Sequence, residues 1–259
     1  MTVHELVFFD IDGTLLNDQN QIPESTRQAV RMLQENGVHT AIATGRNPSS
    51  FEWVREELNI NSYVSINGQY VVYEGKMIYE NPMAIDSLEQ ISQFADEAGH
   101  AIAYFNHAEI AVTQEAHPVI TAGFSSINLP YPNVDKAFFR HSPVYQGNLF
   151  VTVDEQAHYE KQFPHFRFVR WHEHVVDILP LGSSKAVGIH HLLKAIGVEN
   201  RKCIAFGDGL NDIEMLTTIG TGIAMGNAVP EAKRAADLVT TSSSEDGIWN
   251  GLKQLGYPL

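Results

Sequence analysis

The stretch LVFFDIDGTLL, residues 6–16, begins with four apolar residues and then places two aspartates, Asp10 and Asp12, before a glycine. A continuous apolar run without polar alternation is typical of a parallel strand covered on both faces. Open α/β sheets bind ligands beyond the carboxyl ends of such strands. Because residues i and i+2 of an extended segment project to the same side, we expect both carboxylates to address one point there.

The segments on either side of this stretch predict an alternation of strands and helices. Pro23 and Gly37 stand where a helix should begin and end. Asn67-Gly68 is the dipeptide most typical of a tight hairpin. The predicted helices are 24–36, 49–58, 184–196, 212–219 and 230–235, and the predicted strands are 6–10, 38–44, 63–66, 70–73, 203–206, 221–224 and 238–240.

The middle of the chain has a different character. Residues 86–98 have the apolar period of a helix, and short strands are predicted at 101–105, 109–113, 149–153, 166–171 and 175–179, with another helix at 155–162. Helices followed by paired strands indicate an α+β layer separate from the first sheet. The predicted fold class is therefore α/β: a Rossmann-like parallel-sheet core, residues 1–81 and 182–259, with an inserted α+β cap domain at 82–181.

Composition narrows the function classes. The 259 residues carry a formal net charge of −14 and no basic stripe, which disfavours nucleic acid as a partner. Apolar runs are far shorter than the roughly 20 residues of a membrane span. Residues 1–5 lack the basic start of a signal peptide, so we expect a cytoplasmic protein. The single cysteine, Cys203, excludes an intrachain disulfide and reads as an unreactive buried thiol.

A second acidic loop, GDGLND at residues 207–212, follows the apolar residues 204–206. If this strand is adjacent to the first, three or four carboxyl groups converge, which suits Mg²⁺ better than zinc or copper. A glycine-rich turn with a helix-capping aspartate would explain Asp212 but not both loops. An EF-hand calcium loop is excluded, since Thr14 and Leu15 stand where it needs an acidic or amide residue and a glycine.

Two further segments offer groups that a phosphate dianion needs. Thr44-Gly45-Arg46 follows the second predicted strand, and Gly182-Ser183-Ser184-Lys185 precedes a helix. A hydroxyl, free backbone N–H groups and a lysine near a helix N-terminus all favour an anion. Each signal is weak by itself, because such turns and lysines are common without a ligand. Their positions at the ends of strands and helices bring them to the same edge as the carboxylates.

Taken together, these segments resemble the four motifs of the haloacid dehalogenase-like hydrolases, specifically the Cof-type phosphatases with a C2-type cap, over essentially the whole chain. The motifs are DIDGT (residues 10–14), TGR (44–46), Lys185 and GDGLND (207–212). The resemblance implies these roles: Asp10 as nucleophile, Asp12 as general acid and base, Thr44, Gly45, Lys185 and Asn211 as phosphate-binding residues, and Asp10, Asp12 (through its backbone carbonyl), Asp208 and Asp212 at the metal. Ala186 departs from the glycine of many relatives.

The resemblance implies a Mg²⁺-dependent phosphatase that hydrolyses phosphate monoesters of small metabolites, with sugar phosphates favoured, through an aspartyl phosphate. The cap would close over the site and select the leaving group. The expected partner is a small phosphorylated metabolite, without nucleic acid or membrane, and the expected state is a monomer or weak homodimer. A phosphomutase or phosphotransferase with the same intermediate stays open, as does a non-catalytic regulatory binder. A dinucleotide-dependent oxidoreductase is disfavoured, since no G-x-G-x-x-G follows the first strand.

Three other features have two interpretations each. His172-Glu173-His174 suggests a metal site, but no third and fourth ligand is evident, which favours a surface pair on the cap. Tyr104, Phe105 and Trp171 could line a substrate pocket, although packing of the cap sheet is the simpler role. Asn67 could reach the active site from its hairpin or be only a turn residue.

Overall fold

A computed structural model describes residues 5–127 and 129–257. Residues 1–4, on which most of the signal-peptide expectation depends, lie outside the described residues. The chain divides into two compact units: a core unit of the segments up to Glu80 and from Ser184, and a cap unit, Asn81–Ser183. This division falls close to the predicted domain boundaries. The assignment of the second unit as a specificity cap stays a prediction.

The strands follow in chain order and are numbered accordingly. They are β1 (Leu6–Phe9), β2 (His39–Ala43), β3 (Ser62–Ser65), β4 (Tyr70–Tyr73), β5 (Lys76–Glu80), β6 (Ala101–Phe105), β7 (Ile110–Val112), β8 (Asn133–Val134), β9 (Gln146–Phe150), β10 (Phe166–His172), β11 (Val175–Pro180), β12 (Cys203–Gly207), β13 (Thr221–Ala224) and β14 (Leu238–Val239).

The α-helices are numbered in the same way, and in the core unit they alternate with the strands. They are α1 (Glu24–Glu35), α2 (Glu52–Leu58), α3 (Ile85–Ala98), α4 (Pro118–Ser126), α5 (Val153–Gln162), α6 (Lys185–Ile196), α7 (Ile213–Thr218), α8 (Pro230–Ala235) and α9 (Gly247–Gln254). Among the described residues, none of the helices combines the length and apolarity needed to cross a bilayer.

The core unit contains an eight-stranded sheet in the order β14-β13-β12-β1-β2-β3-β4-β5. The strands from β14 to β3 are parallel, and β4 and β5 add an antiparallel edge. Val7 and Phe9 pack into one apolar cluster with α1, α2 and α9, whereas Leu6 and Phe8 pack into another with α6 and α7. Both faces of β1 are therefore covered, which confirms the interpretation of its continuous apolar run and the α/β fold class.

Two core helices have identifiable capping residues, and Gly37 is the one that the sequence indicated. Gly37 has φ +75° just after α1, and Ser184 caps α6 by accepting from the backbone N–H of Val187. The predicted helix 49–58 is α-helical only from Glu52, because a 3₁₀ turn, Pro48–Phe51, precedes it. The β3–β4 hairpin is confirmed, but its connection is a 3₁₀ turn over Ile66–Gly68 rather than a two-residue loop.

The cap unit contains a six-stranded sheet in the order β10-β11-β9-β6-β7-β8. Its strands pair antiparallel except for β7 with β8. One face packs against α3 and α5 through residues such as Tyr104 and Leu149. The other face packs against α4, where Phe124 contacts Phe105 and Phe150.

Several elements differ from their prediction. The strand expected at 149–153 runs earlier, over Gln146–Phe150, and Val153 begins a helix instead. Thr152 and Glu155 form a capping box there, which fixes the start of α5. Four elements were not predicted: β5, α4, β8 and α9.

Candidate active site

The two acidic loops lie side by side. Strands β1 and β12 are parallel neighbours, with Phe9 opposite Phe206, and the backbone N–H of Asp10 donates to the Phe206 carbonyl at 3.0 Å. The aspartates that follow the two strands therefore start from the same edge of the sheet. This adjacency was the condition on which the predicted convergence of carboxylates depended.

The chain makes one wide helical turn directly after Asp10. The backbone N–H of Leu15 donates to the Asp10 carbonyl at 3.2 Å, and Gly13 takes a positive φ of +71° within the turn. A side chain at position 13 would overlap the Oδ2 atom of Asp208. Glycine is required here both by its backbone conformation and by the close approach of the second acidic loop.

Lys185 joins the two acidic loops. Its Nζ donates to Asp10 Oδ1 and to Asp212 Oδ1, each at 2.6 Å, and its side chain is 0% exposed. Burial alone would lower the pKa of the ammonium group, but Asp10 and Asp212 outweigh that effect and hold the pKa above its usual value. Lys185 is therefore a buried cation fixed between two carboxylates at the first turn of α6.

Carboxylates outnumber the buried cation. Oxygen atoms of Asp10, Asp208 and Asp212 all lie within 4.8 Å of one another. Burial raises the pKa of Asp10 well above its usual value, and Asp212 and Asp208 add to this, while Lys185 opposes it. Burial and the charge of Asp212 likewise raise the pKa of Asp208 to about 7. Three acids around one lysine leave a negative excess that a divalent cation with oxygen ligands would neutralise. The residues therefore fit a Mg²⁺ ion.

Asp212 also organises its own loop. Its Oδ2 accepts hydrogen bonds from the backbone N–H groups of Asp208 and Gly209, both at 2.9 Å, while Oδ1 accepts from Lys185. Both oxygens are thus engaged within the protein. Asp212 is not merely the capping aspartate of a glycine-rich turn, because it links the loop to the buried lysine.

Asp12 lies apart from this group of carboxylates. Its side chain is 56% exposed and forms a bidentate ion pair with Arg46, with Nε to Oδ2 at 2.9 Å and Nη2 to Oδ1 at 2.5 Å. Of the two carboxylates in the first loop, only Asp10 belongs to the group with Asp208 and Asp212, while Arg46 holds Asp12. The charge of Asp12 nevertheless contributes to raising the pKa of Asp10 and of Asp208. That both carboxylates address one point stays a prediction. The backbone carbonyl of Asp12 as a metal ligand stays a prediction.

Three of the predicted phosphate-binding residues, Thr44, Gly45 and Asn211, lie next to Asn67, whose backbone N–H donates to the Thr44 carbonyl at 3.1 Å. Thr44 is buried at the end of β2, and its Oγ1 accepts from the backbone N–H of Arg46 at 3.1 Å. A side chain at Gly45 would approach the Asn67 amide to 3.1 Å, and Asn211 Nδ2 donates to Asn67 Oδ1 at 3.3 Å. The structure therefore brings Gly45 and Asn211 together through Asn67, which is more than a turn residue.

Two residues of the site were not given a role from the sequence. Arg46 was quoted only as part of its motif, although an arginine beside an acidic loop is a natural partner for a carboxylate. Asn227 follows β13, and its Nδ2 donates to the Gly13 carbonyl at 2.8 Å. Its position beyond the carboxyl end of a parallel strand was the signal that could have found it.

Outside this site, the cap histidines and Cys203 have simple surroundings. The backbone N–H of His174 donates to His172 Nδ1 at 3.2 Å. Cys203 is buried on β12, and burial raises the pKa of its thiol to about 12, as expected of an unreactive cysteine. Tyr104 is buried in the cap core, where its hydroxyl lies 2.6 Å from Ser92 Oγ.

Comparison with known proteins adds sequence and structural relatives. The family model described as haloacid dehalogenase-like hydrolase matches residues 7–252. “Putative phosphatase YkrA” of Bacillus subtilis (strain 168) is 42% identical over 252 residues, which cover 97% of this chain and 98% of that protein. A solved protein from Geobacillus kaustophilus HTA426 is 46% identical with a TM-score of 0.93, covering 97% and 98% of the two chains. The HAD subclass IIB sugar phosphatase BT4131 is 29% identical with a TM-score of 0.85, covering 97% and 99%.

Proposed function

The chain belongs to the haloacid dehalogenase-like hydrolase family and is a phosphatase, and we propose that it hydrolyses phosphate monoesters of small metabolites, sugar phosphates foremost, with Mg²⁺ and an aspartyl phosphate on Asp10. The observation that carries the proposal is the group of Asp10, Asp208 and Asp212 around the buried Lys185. The sugar-phosphate class is supported by the likeness to BT4131.

Mg²⁺ bound by Asp10 and Asp208 would supply positive charge against the phosphate and the attacking carboxylate. Lys185 supplies positive charge from the protein side and holds Asp10 by its Oδ1, which leaves Oδ2 as the attacking atom. In the proposed reaction Oδ2 forms a bond to phosphorus while the bond to the ester oxygen breaks. The Asp10 carboxylate is thereby converted to an acyl phosphate.

Asp12 handles the proton in both halves of the proposed reaction. In its protonated form it gives the proton to the departing alkoxide, and as a carboxylate it then takes a proton from the water that attacks the aspartyl phosphate. The second step releases inorganic phosphate and restores Asp10. Before the first step, the ion pair of Asp12 with Arg46 must open so that Asp12 can carry the proton. A substrate phosphate can compete for Arg46, since its oxygens match the guanidinium fork as a carboxylate does.

Thr44 and Asn211 are proposed to hold the phosphate oxygens together with the backbone N–H groups around Gly45. The proposed partner remains a small phosphorylated metabolite, without nucleic acid or membrane, for a monomer or weak homodimer. A cytoplasmic location likewise stays a prediction, which cell fractionation would test.

The test is phosphate release from a panel of sugar phosphates, nucleotides and pyridoxal phosphate, with Mg²⁺ or with EDTA. We expect release that requires the metal and falls about 10³-fold or more in Asp10→Asn. Asp18→Asn, which changes an exposed aspartate of the same segment, serves as the matched control and should retain activity. Mass spectrometry of acid-quenched wild type should find phosphate on the peptide that contains Asp10.

Two results would overturn the proposal. Appreciable turnover by Asp10→Asn would remove Asp10 as nucleophile. Transfer of phosphate to an added sugar in preference to water would assign the chain to the phosphotransferases or phosphomutases, which use the same intermediate.

A further inference from the structure

Asn227 connects three separate loops of the core unit. Its Nδ2 donates to the Gly13 carbonyl at 2.8 Å and lies 3.4 Å from Asp208 Oδ2, and its Oδ1 accepts from the backbone N–H of Ser243 at 2.9 Å. At every contact the Asn227 nitrogen is the donor or faces an acceptor, and the Asn227 oxygen is the acceptor. The neighbouring groups therefore determine which way the amide is turned. One side chain thus reaches the first acidic loop, the second acidic loop and the segment before α9.

Each oxygen of the Asp208 carboxylate has a polar side chain beside it, and Asn227 supplies one of the two. Thr14 Oγ1 donates to Asp208 Oδ1 at 3.2 Å, so each carboxylate oxygen has a polar neighbour of its own. The backbone N–H of Val229 donates to the Asp208 carbonyl at 2.9 Å. The loop that carries Asn227 therefore holds Asp208 by its backbone as well as by its side chain.

Core packing does not explain Asn227, because its side chain is exposed. Its polar contacts all serve to fix the position of neighbouring loops. Asn250 offers a comparison, since its Nδ2 donates to Thr241 Oγ1 and to the Glu245 carbonyl and so fixes the same 241–245 segment. Among the contacts described for Asn250 there is none with Gly13 or Asp208.

We propose that Asn227 is a positioning residue for the metal site, which holds Asp208 and the Gly13 turn at the spacing that Mg²⁺ binding needs. The inference rests on the proposed function, in which Asp208 is a ligand of Mg²⁺. Groups that orient a metal ligand by hydrogen bonding commonly change metal affinity when they are removed. Mg²⁺ demands near-ideal octahedral coordination, so a misplaced carboxylate ligand should weaken its binding strongly.

The experiment is a calorimetric titration of the metal-free protein with Mg²⁺ in the absence of substrate, for wild type, Asn227→Ala, Asn227→Asp and Asn250→Ala. We expect Asn227→Ala to weaken Mg²⁺ binding about 10-fold. Asn227→Asp keeps an acceptor for Ser243 but loses the donor to Gly13 and Asp208, so it should weaken binding at least as much. Asn250→Ala loosens only the 241–245 segment and should leave the affinity close to that of wild type.

The outcomes separate this inference from the proposed function. If wild type binds no Mg²⁺, the metal requirement of the proposed function fails, and the role of Asn227 fails with it. If wild type binds Mg²⁺ and Asn227→Ala binds it equally well, the role of Asn227 alone is overturned. An equal loss in Asn250→Ala would also overturn it, because stiffness of the 241–245 segment would then be the cause.

Discussion

Each of the two units buries aspartate side chains, and the hydrogen-bond donors described for them differ. In the core unit, Asp10 and Asp212 share one ammonium group, that of Lys185, with a third acid beside them. In the cap unit, Asp177 Oδ1 accepts from the neutral donors Asn148 Nδ2 at 2.6 Å and Trp171 Nε1 at 2.8 Å.

The difference distinguishes a reactive site from a structural or recognition site. Asn148 and Trp171 donate to Asp177 from neighbouring strands of the cap sheet, so these contacts hold the sheet together. An excess of carboxylates around one lysine is costly unless a further cation enters the group or one of the acids stays protonated. Burial of an aspartate alone therefore does not mark chemistry, whereas three neighbouring carboxylates around one buried lysine do.

Lys185→Met is expected to have the largest effect. It leaves Asp10 and Asp212 without their shared buried cation, which should cost roughly 3–5 kcal/mol of the free energy of unfolding and abolish turnover. Chemical denaturation and phosphate release measure the two effects. Lys194→Met, on the exposed part of the same helix, is the control and should change neither. A Lys185→Met protein with wild-type stability would show that the fold does not depend on the Lys185 ammonium group to balance the charge of Asp10 and Asp212.

Asp12→Asn is expected to slow turnover about 10²- to 10⁴-fold, since it removes the proposed proton donor and acceptor. The loss should be larger for alkyl phosphates than for p-nitrophenyl phosphate, because a good leaving group needs little protonation. Steady-state kinetics with both substrate types measure this. Because kcat/KM reports only the formation of the aspartyl phosphate, an equal loss of kcat/KM for both types would show that Asp12 does not protonate the leaving group. Its contact with Arg46 would then be its role in that step.

The surplus of charge also predicts a dependence of stability on pH. The pKa of Asp208 is raised from its ordinary value near 3.8 to about 7, so the folded protein binds more protons than the unfolded chain between these values. The free energy of unfolding of the metal-free protein should therefore fall as pH rises through that window. Asp208→Asn should fall less steeply than wild type in urea unfolding at several pH values. An unchanged slope would refute the prediction, and added Mg²⁺ should reduce the slope of wild type.

Trp171→Phe is expected to have the smallest effect. It keeps an aromatic ring but removes the N–H donor to Asp177, which should cost about 0.5–1.5 kcal/mol of the free energy of unfolding. The rate with p-nitrophenyl phosphate should stay close to that of wild type. Trp53→Phe changes a similarly exposed tryptophan of the core unit and controls for loss of the indole. A large loss of turnover in Trp171→Phe would give the contact between Trp171 and Asp177 a role in the reaction itself.

Continuous apolar runs were sufficient to predict the central strands of the core sheet. The run at residues 6–9 predicted a parallel strand and the run at 204–206 a second strand, and the polar residues after them predicted the location of the site. By contrast, β5 has the sequence KMIYE and lies at a half-exposed edge, so it carries no such pattern. Helix α4 contains glycine and β-branched residues, and packing of Ile120 and Phe124 on the cap sheet determines it rather than intrinsic propensity.

Sequence reasoning predicted that Asp10, Asp208, Asp212 and Lys185 lie together, but it did not give Arg46 or Asn227 a role. The functional roles of Asp10, Asp208 and Lys185 stay predictions from their motifs, and the ion pair of Asp12 with Arg46 depends on how the turn after Asp10 bends. Asn227 was missed because a single exposed asparagine in a loop looks like any other turn residue. Such contacts join loops that are distant in sequence, so the local pattern gives the position of Asn227 beyond the end of β13 but not its partners.

The pairing of β1 with β12 has a consequence for how the protein is made. Leu6 is opposite His39 on one side and Cys203 on the other, so the first strand can pair early with β2 but waits for β12 until most of the chain has left the ribosome. The cap segment, Asn81–Ser183, is continuous and can fold in the meantime, which replaces a long flexible connection by a compact one. Asp10 cannot meet Asp208 and Asp212 before that late step. The nascent chain is therefore expected to be inert, and catalytic competence should appear abruptly, as the closing event of folding.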